Sequence, residues 1–315
     1  MLRDEELITI SECRHQILQS CHKIRNRVLF KIDQTPVLKT LSEQIYKNNI
    51  KQHTQLIPTL IVDDSAVVQR LKQDGIFIIT LEQLAIPSTS NLLKDAHQII
   101  PSLLASLPLH SSTYMIKTSC EKLMELPHIF WWGLQNRILQ IVENYLELPV
   151  AYHGVYCRRD LANNVENKTR LWHLDKEDRR MLKIIIYLND VTPDVGPFQY
   201  ISKHLTDSIF HKFQYNYSYI QEQRMQQVVP KTQWKSCCGS AGTVIFVDPA
   251  CVFHRGKKPI TSDRLTIFFD YTSRIPKHPY YCKSSFSPEQ LSTLCDSLSQ
   301  YQKECVFWRN SLRHH

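Results

Sequence analysis

The chain has 315 residues, 43% hydrophobic and 22% charged, with a formal net charge of +8, enough to bury the core of one large domain. No apolar run approaches the roughly 18 residues of a membrane span, and Met1-Leu2-Arg3-Asp4-Glu5-Glu6 is acidic where a signal peptide is basic and then apolar, so the expected place is the cytoplasm. Only seven glycines occur, with no Gly-x-Gly-x-x-Gly, phosphate-loop or Gly-x-Ser-x-Gly pattern, which excludes nucleotide-binding loops and the hydrolase elbow.

Residues 1–149 read as a helix-rich elaboration. Ile17, Cys21, Ile24 and Val28, widened by Leu18 and Leu29, predict an amphipathic helix with one buried face. Residues 66–73 predict a short helix stopped by Asp74-Gly75, followed by a strand at Ile76-Phe77-Ile78-Ile79-Thr80. Ile138, Ile141, Val142 and Tyr145 mark a further helix ending before Pro149. Ten cysteines run from Cys13 to Cys305 without a Cys-x-x-Cys pair, which predicts reduced thiols.

From 150 to 275 the texture changes to short strands at 151–158, 170–175, 181–189, 197–202, 243–248, 251–255 and 264–272. That pattern predicts a mainly β core of the double-stranded β-helix or jelly-roll kind, with the helices packed outside. Side chains alternate across a strand, so Leu182, Ile184, Ile186 and Leu188 form an aliphatic face, and Lys183, Ile185, Tyr187 and Asn189 a mixed face that lines the cavity. Likewise Arg264, Thr266, Phe268 and Asp270 share a face that looks inward. The aromatic-rich stretch 205–238 is either an extra element packing its rings or a lid over the cavity. Residues 276–315 read as a basic, polar tail in which Leu291, Leu294 and Leu298 hint at a helix, and the terminal His314-His315 reads as incidental.

His173 and Asp175, two apart on a strand, point the same way, while Trp172 and Leu174 face a core. His-x-Asp/Glu is expected about once by chance at this composition, so its context decides. A distant His254 completes two imidazoles and one carboxylate, the set used by non-heme Fe(II) oxygenases, and leaves coordination positions free for a co-substrate and oxygen. Ten residues on, an inward Arg264 suits a remote carboxylate, and Thr266 adds a hydroxyl on the same face.

The runs Thr169-Arg170-Leu171-Trp172-His173-Leu174-Asp175, Lys183 through Val191, and Gly196-Pro197-Phe198-Gln199-Tyr200, with Phe253-His254-Arg255-Gly256 and Arg264, resemble the phytanoyl-CoA dioxygenase family over about residues 150–272. The resemblance implies Fe(II) held by His173, Asp175 and His254, and 2-oxoglutarate held through Arg264 and Thr266, with O2 as oxidant. Tyr156, on the preceding strand, and Tyr187, on the mixed face, are further candidate co-substrate contacts. It implies hydroxylation of a small molecule with release of succinate and CO2, halogenation being disfavoured because Asp175 fills the position that halogenating relatives leave small. Desaturation, cyclisation or epoxidation with the same cofactors remains open, as does a cupin-like metal-binding protein without oxygenase activity. The basic turn Arg255-Gly256-Lys257-Lys258 favours an anionic or carrier-tethered substrate. Nucleic acid is disfavoured, since demethylating relatives carry a second arginine where this chain has Asp270. Oligomeric state is not indicated.

Overall fold

The computed structural model describes residues 20–313 and divides at Gln52 and His53 into two units. In the first, helix α1 (20–33) is followed by α2 (Pro36–His53). The expected buried stripe is not formed here: Ile24 is 61% and Val28 51% exposed, Cys21 is exposed, and Asn26 is buried instead. Two short helices offer no second layer able to cover an apolar face. Ile17, Leu18 and Cys13 lie outside the described residues, as do His314 and His315.

The second unit runs α3 (Val62–Asp74), β1 (Ile76–Thr80), α4 (Leu81–Leu84), α5 (Thr89–Ala105), β2 (Met115–Lys117), α6 (Cys120–Met124), α7 (His128–Trp132), α8 (Asn136–Leu146) and β3 (Val150–Asp160). It continues through β4 (Met181–Tyr187), β5 (Phe198–Ile201), α9 (Thr206–Phe213), α10 (Glu222–Gln226), β6 (Trp234–Cys237), β7 (Thr243–Val247), β8 (His254–Gly256), β9 (Arg264–Ser273), α11 (Pro288–Cys295) and α12 (Gln300–Val306). Gly75 ends α3 as expected: at φ 74° its N–H bonds Leu71 O, and the chain turns directly into β1.

The strands form two antiparallel sheets, a six-stranded one in the order β1-β7-β4-β9-β3-β2 and a three-stranded one in the order β6-β5-β8. Neither closes on itself, so the jelly roll is an open sandwich rather than a barrel. Strand parity decides what lies between the sheets. Ile185 and Tyr187 on β4, Ile245 and Val247 on β7, and Phe268 on β9 pack toward Phe198 and Cys237 of the small sheet. On the opposite face Leu182, Ile184, Ile186, Phe246 and Phe269 pack with Trp132, Ile138, Leu139 and Val142 of the helices. The aliphatic and mixed faces therefore fall as alternation predicts. A bulge adjusts β3: its partners on β9 step from Tyr152/Tyr271 to Gly154/Asp270, with Gly154 at φ 101°, a conformation that favours glycine. Tyr152 thereby joins the helix-side core while Tyr156, Arg158 and Asp160 face inward.

Two expectations are corrected, and of the two readings of 205–238 the extra packing element is the one seen. The stretch 170–175 is not a full strand; a 3-10 turn at Lys168–Arg170 leads into single bridges, Trp172 to Ile220 and His173 to His254. The stretch 205–238 contains α9, α10 and β6, and buries Ile209, Tyr215, Ile220, Met225 and Val229 with Trp172, Leu174 and Phe253. It packs against Trp172 and Leu174, on the face away from His173 and Asp175, while Tyr219 stands against His173, ring centroids 5.2 Å apart. The expected tail is core: Leu291, Leu294, Cys295, Cys305 and Val306 join the helix-side cluster, with Ser287 and Ser299 capping α11 and α12. None of the nine described cysteines is bridged, and no helix among the described residues is long and apolar enough to cross a membrane.

Candidate metal centre

The site is assembled by the main chain before any side chain contributes. His173 and His254 exchange both backbone bonds, N–H to O at 3.0 Å each way, which brings the two imidazoles together across the gap, ring centroids 4.2 Å apart and planes inclined at 51°. Asp175 N–H donates to Pro249 O at 2.9 Å, tying the third residue to the loop before β8. Trp172 and Leu174 are buried on the other face, and Tyr215 Oη accepts from Leu174 N–H at 3.0 Å.

Each imidazole is oriented by a carbonyl two residues before it. Nδ1 of His173 lies 2.8 Å from Leu171 O and Nδ1 of His254 lies 3.1 Å from Val252 O, so Nδ1 carries the proton and Nε2 presents its lone pair. Both Nε2 atoms face Asp175 Oδ1, at 3.7 and 4.0 Å, and one donor atom from each of the three residues falls within 4.8 Å of the others. Asp175 Oδ2 is held by Lys183 Nζ at 2.6 Å, which leaves Oδ1 for the imidazole side. Burial, with the neighbouring imidazole, pushes His254 down to about 3, and burial lowers His173 as well, so both rings are neutral near pH 7. Burial works to raise Asp175, but Lys183 and the two imidazoles outweigh it and hold the carboxyl well below its usual range. Two neutral imidazoles and an ionised carboxylate are the protonation states a divalent metal requires, and this donor set fits one.

The inner face of the large sheet supplies the rest. Arg264 is almost fully buried and its Nη2 pairs with Asp160 Oδ2 at 2.8 Å, while Nη1 donates to Gly196 O. Arg158 grips the same carboxylate through Nε at 2.8 Å and Nη2 at 2.6 Å. Burial would raise Asp160, yet the two guanidiniums hold it down at about 2. Two cations thus share one anion, and Arg264 Nε has no hydrogen-bond partner among the described residues. A Cβ on Gly256, two residues past His254, would come within 2.9 Å of Arg264 Nη2, so glycine lets the guanidinium lie against β8. Thr266 Oγ1 reaches only Arg158 O, at 3.4 Å.

The other candidates divide. Tyr156 lies on the inner face, stacked on Phe268 at 4.9 Å and 9°. The Tyr187 hydroxyl donates to Cys237 O and accepts from Phe198 N–H, linking the two sheets. The basic turn is corrected, because Arg255 is buried between Trp172 and Trp234 and paired to Glu222 at 2.8 Å, Lys258 meets Glu166 at 3.3 Å, and Lys257 donates to Pro193 O. His204 lines a separate surface cavity of about 570 Å³ beside β1. His153 and His278 are buried, within reach of Thr272 Oγ1 and Lys176 O respectively. Alternation reads Lys183 as a cavity-facing residue but not as the partner of Asp175. Arg158 and Asp160 are missed by the sequence reading, although Tyr156, Arg158 and Asp160 at alternate positions are the signal.

No protein-family model and no curated protein matches the chain. Solved structures do. The non-heme alpha ketoglutarate dependent epimerase SnoN from nogalamycin biosynthesis is 14% identical over 67% of this chain and 83% of its own, at a TM-score of 0.46. HygX from Streptomyces hygroscopicus, with nickel, 2-oxoglutarate and hygromycin B bound, is 14% identical over 66% and 86%, at 0.44. EctD from S. alaskensis with bound Fe is 17% identical over 70% and 80%, at 0.47.

Proposed function

We propose that the chain is an Fe(II)- and 2-oxoglutarate-dependent dioxygenase that hydroxylates an unactivated C–H bond of a small molecule. The observation that carries this is the convergence of two oriented imidazole Nε2 atoms on the free oxygen of Asp175, on the same inner face as a buried arginine with an unsatisfied Nε. A metal alone has no need of that arginine.

His173, Asp175 and His254 would hold the iron, which when bound supplies redox access to O2 and a chelating position for the 2-oxo acid. Arg264 would take the far carboxylate of 2-oxoglutarate, with Thr266 beside it on β9. Asp160 is not abandoned in the exchange, because the bidentate grip of Arg158 keeps it neutralised when Arg264 turns to the co-substrate. Lys183 keeps Asp175 in one orientation, and the apolar wall of Ile185 and Phe268 keeps bulk water from the centre. The net reaction converts 2-oxoglutarate, O2 and R–H to succinate, CO2 and R–OH. One oxygen atom enters succinate and the other the new hydroxyl; the co-substrate and the C–H bond supply two electrons each.

The pairing of Arg264 with Asp160 is also what a silent metal-binding module would show, and one experiment separates the two. Anaerobic addition of Fe(II) and 2-oxoglutarate is expected to give the weak visible charge-transfer band of the chelate. Arg264→Ala should weaken 2-oxoglutarate binding roughly 30-fold or more, the cost of about 2 kcal/mol for removing one partner of a buried charge pair, while iron binding stays unchanged. Absence of the band, or equal loss of both affinities, counts against the dioxygenase.

A further inference from the structure

One part of the inner face is left unexplained by iron and 2-oxoglutarate. In register across the large sheet, Gly154, Asp270 and Lys183 form one row and Tyr156, Phe268 and Ile185 the next. Asp270 Oδ1 is buried and has no hydrogen-bond partner among the described residues. Its nearest cation, Lys183, lies 3.9 Å away and is already committed to Asp175 at 2.6 Å. Gly154 opposite contributes no side chain that could donate to it.

Over the Tyr156 ring stands Lys117, on edge strand β2 in register with Arg158. Its Nζ lies 3.8 Å from the Tyr156 ring centroid, and Lys117 makes no ion pair or hydrogen bond among the described residues. A lysine resting on an aromatic face keeps its three N–H donors for something else. Near Asp175, then, lie a carboxylate oxygen that has no hydrogen bond and shares Lys183 with Asp175, and an amine with no ion pair among the described residues, on a face where Arg158, Asp160, Lys183 and Arg264 all have closer partners of opposite sign.

We propose, resting on the dioxygenase function above, that the primary substrate is a small zwitterion bound beside Tyr156, its cationic amine paired with Asp270 and its carboxylate with Lys117. Asp270 and Lys117 then set specificity: a singly charged analogue leaves one of them without a partner, so both the amine-free acid and the acid-free amine bind more weakly.

The test uses free amino acids of increasing chain length, each beside its deaminated acid and its decarboxylated amine. Binding is read by anaerobic calorimetry, with and without Fe(II) and 2-oxoglutarate. At least one amino acid should bind about tenfold or more tighter than either counterpart, the strength of one charge-assisted pair. Asp270→Asn should erase its advantage over the deaminated acid and Lys117→Met its advantage over the amine, both variants melting as the wild type does. Equal affinity for all three members of every set, no binding by any of them, or substitutions that leave the preference intact would overturn the assignment. If the chelate band forms and this preference does not, the substrate class fails and the dioxygenase stands; if the band never forms, the dioxygenase fails on its own evidence.

Discussion

Lys183 shows what one side chain adds to a candidate metal centre. Its ammonium occupies Asp175 Oδ2 at 2.6 Å and so chooses which oxygen faces the imidazoles. Lys183→Met keeps the stem and removes the donor; metal affinity should fall roughly 10- to 100-fold with little change in melting temperature. A competitive metal titration checks this, and unchanged affinity would make the contact incidental. The candidate ligands were legible because alternation places His173 and Asp175 on one face and Trp172 and Leu174 on the other. What Lys183, Arg158 or Arg255 touch was not legible. A strand pattern says from which face a side chain leaves, but a residue of the opposite sheet, distant in sequence, decides where it ends. Arg255 belongs to a basic turn in sequence and to a sandwich of two tryptophans in space.

Among the elements, the loop between β7 and β8 links the helical layer to the centre. Pro249 O receives Asp175 N–H, and the preceding Asp248 accepts from Tyr145 Oη of α8 at 2.5 Å and from Ala250 N–H at 2.8 Å. Burial pushes Asp248 up from 3.8 to about 6, against the pull of those bonds. The sign follows from which state releases its proton first. Below about pH 4 the carboxyl is neutral folded or unfolded, and the folded state gains from holding it so. As pH rises from 3.8 to about 6 the unfolded chain ionises first, so this stabilisation is lost, and above about 6 nothing further changes. Asp248→Asn should remove that decline, about 3 kcal/mol when each pH unit between the two values counts for roughly 1.4 kcal/mol; urea melts at pH 4 and pH 7 measure it, and an unchanged decline would refute the assignment. Most strands were readable from β-branched and aromatic runs, whereas 170–175 looked like a strand because its inward and outward residues alternate. Only two of its residues are bridged, since a 3-10 turn delivers it to the sheet edge late.

For the whole molecule, the division into a helical start, a β core and a tail understates how far the end of the chain completes the middle. Leu291, Leu294, Cys295, Cys305 and Val306 close the same cluster as Ile138, Leu182 and Phe269, and each large apolar side chain so buried contributes about 1.5–3 kcal/mol. A chain ending at 286 should therefore lose cooperative unfolding altogether, read by circular-dichroism melting; a sharp transition near that of the full chain would show the C-terminal helices to be dispensable. Leu291, Leu294 and Leu298 announced a helix, but the short, polar turns of this segment hid that it docks. The reciprocal pair of main-chain bonds between His173 and His254 has one more consequence. Both amide protons are locked in a single bridge that no side-chain substitution removes, and they can meet solvent only when the two segments part. Their deuterium uptake should therefore be slow, matched between the two positions and unchanged in His173→Ala, giving a clock for the opening of the centre that runs without metal, co-substrate or turnover.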